Sequence, residues 1–251
     1  MKRKKPPGKS AKDRYTEWAC DRPRGHRGAR GASLVEHAKT LGYSDEEIRS
    51  VPGSAVMGLG CGNPTALAHL KEGETVLDLG SGGGLDGFLA ARKVGPKGRV
   101  IGLDATPAMV QRSSEAAAKG GYANVEFRLA EIEHLPAADQ SIDVIISNCV
   151  MNHCADKAAA FREAFRVLRP GGRLLVSDLV TRGNLPAPDT PGLEVWAEWL
   201  VAAVGKDEYL AAIQKAGFRD IRILTERAFS SPAMADPLAG RIVHVDVGAS
   251  R

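Results

Sequence analysis

The sequence lacks an apolar run long enough to cross a bilayer, and no charged-then-apolar leader opens it. We therefore expect a cytoplasmic protein with no membrane partner. Aromatic residues are only 5% of the chain and do not alternate with basic ones, so nucleic acid is not expected as a partner. Neither a CxxC nor an HExxH pattern occurs, which argues against a tetrahedral zinc site. We expect no resident metal.

Positive charge is concentrated at the start of the chain. Residues 1–30 carry eleven Lys or Arg against three Asp or Glu, whereas the whole chain has a net charge of only +4. The rest of the chain is therefore mildly acidic. We predict a flexible basic arm over residues 1–31, with contact to nucleic acid as the alternative reading of its charge.

Four cysteines are present, at Cys20, Cys61, Cys149 and Cys154. In a cytoplasmic protein, free thiols or ligands are expected more often than structural disulfides. The simplest reading of Cys149 is a small buried apolar residue at the end of a strand. Two histidines, His134 and His153, are expected on the surface or in packing rather than in catalysis.

Strand-like and helix-like segments alternate from Thr75 onward. The strand candidates are apolar runs at 75–79, 99–104, 124–130, 142–148, 172–180, 218–226 and 240–248. Such alternation predicts an α/β fold: a doubly wound, mostly parallel, seven-stranded Rossmann-like sheet, with helical N-terminal and late insert segments. We divide the chain into a helical cap over 32–72, a ligand-binding core over 73–182, and late helices and edge strands over 183–251.

A glycine-rich loop, DLGSGGG, follows the first strand and precedes a helix. Glycines let a backbone turn tightly and approach a ligand closely. Asp104 closes the second strand, where an acid can accept both hydroxyls of a ribose. Dehydrogenases use a similar loop, and a tight turn without a ligand is the further alternative. Open α/β sheets bind ligands in a crevice at the carboxyl ends of their strands. We expect the turn at Glu131 and Ile132 and the strand end at Asn148 to face that crevice.

These segments resemble the successive motifs of class I S-adenosylmethionine-dependent methyltransferases: VLDLGSGGG, IGLD, AEIEHLP, DVIISN and FREAFRVLRPGGRLLVSD. The sequence is more closely similar to the arsenite methyltransferase family, through LGYSDEEIRSVP, GLGCGNPTALAHLKEGETVLDLGSG and SIDVIISNCVMN. This likeness runs from about Leu41 to Asp178 and is weaker out to Phe218. The GCGNP and SNCV elements are its most specific parts.

The resemblance implies S-adenosylmethionine as cofactor. We expect it to be held by Asp78, Gly80, Ser81, Gly82, Asp104, Ala105, Met109, Glu131, Ile132 and Asn148. It also implies a small-molecule substrate and a thiol reductant, such as glutathione or thioredoxin, as partners.

The family carries four thiols, which this sequence matches only in part. Cys61 matches the thiol of GCGNP and Cys149 that of SNCV, and we expect these two to be the catalytic, arsenic-binding residues. Cys20 lies where the first thiol is expected, but in different surroundings. Trp199 stands where the late thiol is expected and is assigned to the substrate pocket. Cys154 is a candidate third arsenic ligand.

Soft thiolates suit trivalent arsenic, whose lone pair can then attack a sulfonium methyl group. With two matched thiols, we expect an organic arsenic(III) substrate to be preferred over arsenite. The runner-up is a methyltransferase acting on an organic small molecule or natural product. A non-catalytic arsenic-binding regulator is the third hypothesis, against which the intact glycine loop and Asp104 argue.

Overall fold

A computed structural model describes residues 34–154, 156–183, 204–229 and 240–251. The predicted basic arm, Cys20 and Trp199 lie outside these residues. Within the described part, no helix combines the length and the apolar character that a membrane span requires.

The centre of the fold is one seven-stranded sheet with the order β3-β2-β1-β4-β5-β7-β6. Strands β1 to β5 are parallel, and β7 runs antiparallel between β5 and β6. This confirms the predicted doubly wound, mostly parallel α/β sheet. The strands are β1 (Thr75–Leu79), β2 (Arg99–Asp104), β3 (Val125–Leu129), β4 (Ile142–Asn148), β5 (Leu168–Thr181), β6 (Arg219–Ala228) and β7 (Ile242–Ser250).

Seven α-helices are described: α1 (Leu34–Thr40), α2 (Asp45–Arg49), α3 (Pro64–Leu67), α4 (Leu85–Val94), α5 (Pro107–Gly120), α6 (Lys157–Val167) and α7 (Lys206–Lys215). The short 3₁₀ turns are Gly53–Ala55 and Met151–His153. A capping box joins Ser44 to Glu47 at the start of α2, and Asn63 caps α3 ahead of Pro64. Thr106 holds the N-cap position of α5 without a side-chain capping bond.

The sheet is covered on both faces, which explains the apolar runs of its central strands. In β1, Leu77 and Leu79 face one apolar cluster while Val76 faces the other, and all three side chains are fully buried. A strand that packs against a core on each side has no face in contact with solvent, so most of its residues are apolar. Polar residues and glycines are therefore found mainly at its ends.

The chain passes from β1 outward through β2 to β3, and then returns to β4 on the other side of β1. The carboxyl ends of β1 and β4 therefore flank the point where the strand order reverses. In open α/β sheets, ligands bind in the crevice outside such a point. All of the functional residues described below lie at this edge of the sheet or on segments that cover it.

Candidate functional site

The glycine loop lies between β1 and α4 and has the conformation that its glycines allow. Gly80, Gly82 and Gly84 have φ angles of 69°, 51° and 93°. A Cβ on Gly80 would lie 2.4 Å from Cγ2 of Val150, and one on Gly83 would lie 2.8 Å from Sδ of Met57. The loop can therefore pack this closely against its neighbours only without side chains, and it leads directly into the start of α4.

Asp104 ties this loop to the next helix. Its Oδ2 accepts a hydrogen bond of 2.9 Å from the Gly82 amide, and its Oδ1 accepts one of 2.8 Å from the Thr106 amide. The carboxylate is buried at the end of β2. Each carboxylate oxygen carries two lone pairs, so these bonds are compatible with the predicted ribose contact.

Two buried oxygens beside the loop indicate a ligand. Oδ2 of Asp78 and Oγ of Ser81 have no hydrogen-bond partner among the described residues. Burial raises the pKa of Asp78 well above its ordinary value, and the nearby Asp86 and Asp104 carboxylates raise it further. Unpaired buried polar atoms are costly, so a ligand with donor groups or positive charge would stabilise this region. The residues present therefore fit S-adenosylmethionine, which has both.

The other predicted cofactor residues differ in burial, and their contact with a cofactor stays a prediction. Met109 is buried against Met57, a contact that sequence reasoning missed because Met57 comes from the cap segment. Ile132 is buried, Ala105 is partly buried and Glu131 is exposed.

Two thiols meet on the other side of the crevice. The sulfurs of Cys61 and Cys149 and one carboxylate oxygen of Asp178 all lie within 4.8 Å of one another. The carbonyl oxygen of Ser177 connects the two cysteines, accepting from the Cys149 amide at 2.7 Å and from the Cys61 thiol at 3.4 Å. Sequence reasoning predicted both cysteines, and the structure brings them together.

Asp178 is the member of this cluster that sequence reasoning missed. Its Oδ1 accepts a 2.9 Å hydrogen bond from Nδ2 of Asn152, and its Oδ2 accepts one of 2.9 Å from the Tyr209 hydroxyl. The side chain is completely buried, and this burial raises its pKa to about 7. An acidic residue near the carboxyl end of a predicted strand, as Asp178 is in β5, is the sequence signal that could have identified it.

Asn148 lies between the glycine loop and the thiols. Its Oδ1 accepts from the amides of Cys61 and Gly62 at 2.9 and 3.2 Å. Its Nδ2 lies 2.8 Å from the Gly62 carbonyl, 3.0 Å from the Tyr43 hydroxyl and 3.0 Å from Oδ2 of Asp86. These contacts make Asn148 a tether that holds the Cys61 segment against the end of β4. The predicted contact of Asn148 with the cofactor stays a prediction.

Polar side chains on β5, β6 and β7 contact the Cys61 segment. The Ser177 hydroxyl donates to Oδ1 of Asp246 at 2.5 Å, and Nε2 of His244 lies 3.3 Å from the same oxygen. The Arg227 guanidinium donates to the Cys61 carbonyl at 3.1 Å. Sequence reasoning named none of these residues, because only the antiparallel pairing of the last strands brings them to this site.

Cys154 does not join the two matched thiols. Its sulfur lies 3.1 Å from the Met151 carbonyl, and burial raises its pKa to about 12. Within the described ranges, the only cluster of three His, Cys, Asp or Glu ligand atoms is that of Cys61, Cys149 and Asp178. Geometry therefore gives the third place beside the thiols to a carboxylate.

Comparisons with known proteins place the chain among methyltransferases. A family profile described as a methyltransferase domain matches residues 70–217. The arsenite methyltransferase of Halobacterium salinarum is 47% identical over 186 residues, which cover 74% of this chain and 48% of that protein. The human arsenite methyltransferase is 36% identical, over 66% of this chain and 46% of that protein.

A solved structure is also similar over most of the chain. It is an arsenic(III) S-adenosylmethionine methyltransferase from Chlamydomonas reinhardtii, with a TM-score of 0.69 and 31% identity, covering 86% of this chain and 73% of that one. By contrast, the chain spans only about half the length of the curated relatives above.

Proposed function

The chain belongs to the arsenite methyltransferase family of S-adenosylmethionine-dependent enzymes, and on that premise we propose that it methylates trivalent arsenic bound to Cys61 and Cys149. The observation that carries this proposal is the approach of the two sulfurs to within 4.8 Å of each other. The thiols come from segments 88 residues apart, yet they meet beside the glycine loop.

The cysteines would act by displacing oxygen from arsenic. Burial, and then the neighbouring Cys149, raise the pKa of Cys61 well above its ordinary value, so this thiol is protonated at neutral pH. As each arsenic–sulfur bond forms, an arsenic–oxygen bond breaks, and the thiol proton leaves with the hydroxide as water. Binding of arsenic therefore leaves no unpaired charge in a buried site.

When bound, S-adenosylmethionine supplies an electrophilic methyl group on a sulfonium centre. The chain's own contribution is to bind and orient. The glycine loop and Asp104 would fix the cofactor, and the two thiols would hold arsenic with its lone pair exposed to the crevice. Methyl transfer oxidises arsenic from the trivalent to the pentavalent state, so we also propose a thiol reductant, such as glutathione or thioredoxin, as a partner.

We further propose that an organic arsenic(III) compound is preferred over arsenite. An arsenical with one carbon substituent has two exchangeable positions, and two thiols occupy both. Arsenite has three, and the described cluster contains only two sulfurs. Trp199, which lies outside the described residues, would offer an aromatic surface to the carbon substituent.

The direct test is methyl transfer from labelled cofactor to arsenite, to monomethylarsonous acid and to a panel of thiol-free organic compounds. We expect both arsenicals to be methylated, the monomethyl compound with the higher kcat/KM. Methylation of the organic panel alone would reject arsenic and favour the natural-product alternative. Calorimetry with S-adenosylmethionine is run in parallel. If the cofactor binds but no arsenical is methylated, the substrate assignment is wrong; if the cofactor does not bind, the preparation is inactive.

A further inference from the structure

Arsenite has more exchangeable groups than this site has thiols. Arsenite carries three hydroxyl groups, and Cys61 and Cys149 can displace two of them. The product of that exchange keeps one hydroxyl on arsenic. In a buried site this hydroxyl needs a hydrogen-bond partner, because an unsatisfied buried polar group is costly.

Asp178 is the acidic residue that shares a cluster with both sulfurs. One of its carboxylate oxygens lies within 4.8 Å of both sulfurs. Asn152 and Tyr209 each donate to one of its oxygens, which fixes the orientation of the carboxylate. The backbone amides of Met151 and Leu179 also hydrogen-bond to this carboxylate, so a hydroxyl group on arsenic would share its oxygens with these donors.

Several neighbouring polar groups are already occupied. The Ser177 hydroxyl donates to Asp246, and the Asn148 amide is bonded on both atoms to the Cys61 segment and its surroundings. The Cys154 thiol contacts the Met151 carbonyl and lies outside the cluster. Oδ1 of Asn152 has no partner among the described residues, but Asp178 is the acidic group that lies beside both sulfurs and can meet a third substituent on arsenic.

We infer that Asp178 is a specificity-determining residue, which binds the hydroxyl group that arsenite retains after Cys61 and Cys149 have displaced the other two. This inference rests on the proposed function. It concerns inorganic arsenite alone, because a monomethyl arsenical bound to two thiols has no hydroxyl left. Asp178 then sets how well arsenite competes with the organic substrate.

The test compares Asp178→Asn with Tyr209→Phe, using kcat/KM for arsenite and for monomethylarsonous acid. Asp178→Asn replaces one carboxylate oxygen by an amide nitrogen and keeps the side-chain volume. We expect it to lower the arsenite to monomethyl ratio about tenfold, the loss typical of one buried hydrogen bond. Tyr209→Phe disturbs the same buried group but keeps the carboxylate, so it should leave the ratio within about twofold.

A ratio that falls equally in both variants, or in neither, would overturn the inference. The proposed function fails separately, when the unmodified protein methylates neither arsenical. A readout without variants covers the case in which Asp178→Asn does not fold. X-ray absorption at the arsenic edge of the full chain loaded with arsenite should show two sulfur neighbours and one oxygen. Three sulfur neighbours would mean that another thiol, not Asp178, faces the third position.

Discussion

The two sides of the crevice are built in different ways. The cofactor half consists of the glycine loop with Asp78 and Asp104, and its residues lie close together in the sequence. The thiol half consists of Cys61, Cys149 and Asp178, which come from the cap segment and from the ends of β4 and β5. A local motif specifies the first half, whereas only the assembled sheet specifies the second.

The halves also differ in how their segments are held. In the thiol half, the Ser177 carbonyl and the Asn148 amide bond to the cysteine segments directly. In the cofactor half, Asp104 bonds to the backbone of the loop and of the next helix. Both halves keep buried polar atoms without a partner among the described residues, on Asp78 and Ser81 in the first and on Asn152 and His244 in the second. Changes in the two halves should therefore have separable effects.

The largest effect is expected from Cys149→Ser, because a hydroxyl is a poor ligand for soft trivalent arsenic. Loss of a residue that only orients a metal ligand costs tenfold to a hundredfold, so loss of the ligand itself should lower arsenic methylation by at least about a hundredfold. Cofactor affinity should stay unchanged. Labelled methyl transfer and calorimetry measure the two quantities.

Cys154→Ser is the matched control, since this thiol lies outside the cluster. It should retain methylation of monomethylarsonous acid within about twofold. Full activity of Cys149→Ser on every arsenical would contradict the arsenic assignment altogether.

Much of the cofactor half was predictable from the sequence. The bounds predicted for β1, β2 and β4 agree with those observed. These strands are buried on both faces, so their ends coincide with the ends of the apolar runs. The glycine loop could be predicted from its local sequence alone, because its glycines adopt the positive φ angles that a tight turn needs. The start of β5 was placed at residue 172, but the strand begins at Leu168, because Arg169–Gly172 form an irregularity in its pairing with β4.

The thiol half was only partly predictable. Cys61 and Cys149 came from the resemblance to a family, not from a physical signal in their surroundings. Cys154 was a candidate on its short spacing from Cys149, but the 3₁₀ turn between them directs its sulfur to a backbone carbonyl. Asp178 went unnoticed because a lone acid in an apolar strand acquires its partners, Asn152 and Tyr209, only through tertiary packing.

A second test of the thiol half uses pH. The pKa of Asp178 is about 7 in the folded chain, because burial disfavours its charged form, against an ordinary value of 3.8. A raised pKa means that the folded state holds the proton more tightly. The stability from this group is therefore full below about pH 4 and is lost as pH rises through about 7.

The free energy of unfolding should fall across this range by up to about 4 kcal/mol from this group alone. Asp178→Asn has no proton to lose, so its stability should vary less with pH than that of the unmodified chain. Urea denaturation at a series of pH values measures the difference. Parallel curves for the two proteins would show that burial does not hold this proton.

In the cofactor half, Asp104→Ala should weaken S-adenosylmethionine binding by about 1.5–3 kcal/mol. The change removes the predicted ribose acceptor and also the bonds to the Gly82 and Thr106 amides that shape the loop. Arsenic binding to the thiols, followed by quenching or absorbance of the loaded protein, should be retained. Calorimetry that finds unchanged cofactor affinity would remove Asp104 from the ribose site.

The smallest effect that still separates the halves is expected from Gly62→Ala. A Cβ there would lie 2.6 Å from Nε2 of His244 and 2.8 Å from Oγ of Ser177, and both side chains are fully buried. The segment carrying Cys61 must therefore lift away from the sheet. Overpacking of this kind costs about 1–3 kcal/mol of folding stability. Arsenic methylation should fall as the two sulfurs separate, while affinity for S-adenosylmethionine remains.

Gly53→Ala is the matched control in the same cap segment. Its Cβ would meet no atom within 4 Å, so unfolding free energy should change by no more than about 0.5 kcal/mol. Thermal or urea unfolding, cofactor calorimetry and the methylation assay are run on both variants. If Gly62→Ala weakens cofactor binding as much as arsenic methylation, the two halves are coupled through Asn148 and do not act independently. If Gly62→Ala changes neither quantity, the close packing of Cys61 against β5 and β7 is not required for the reaction.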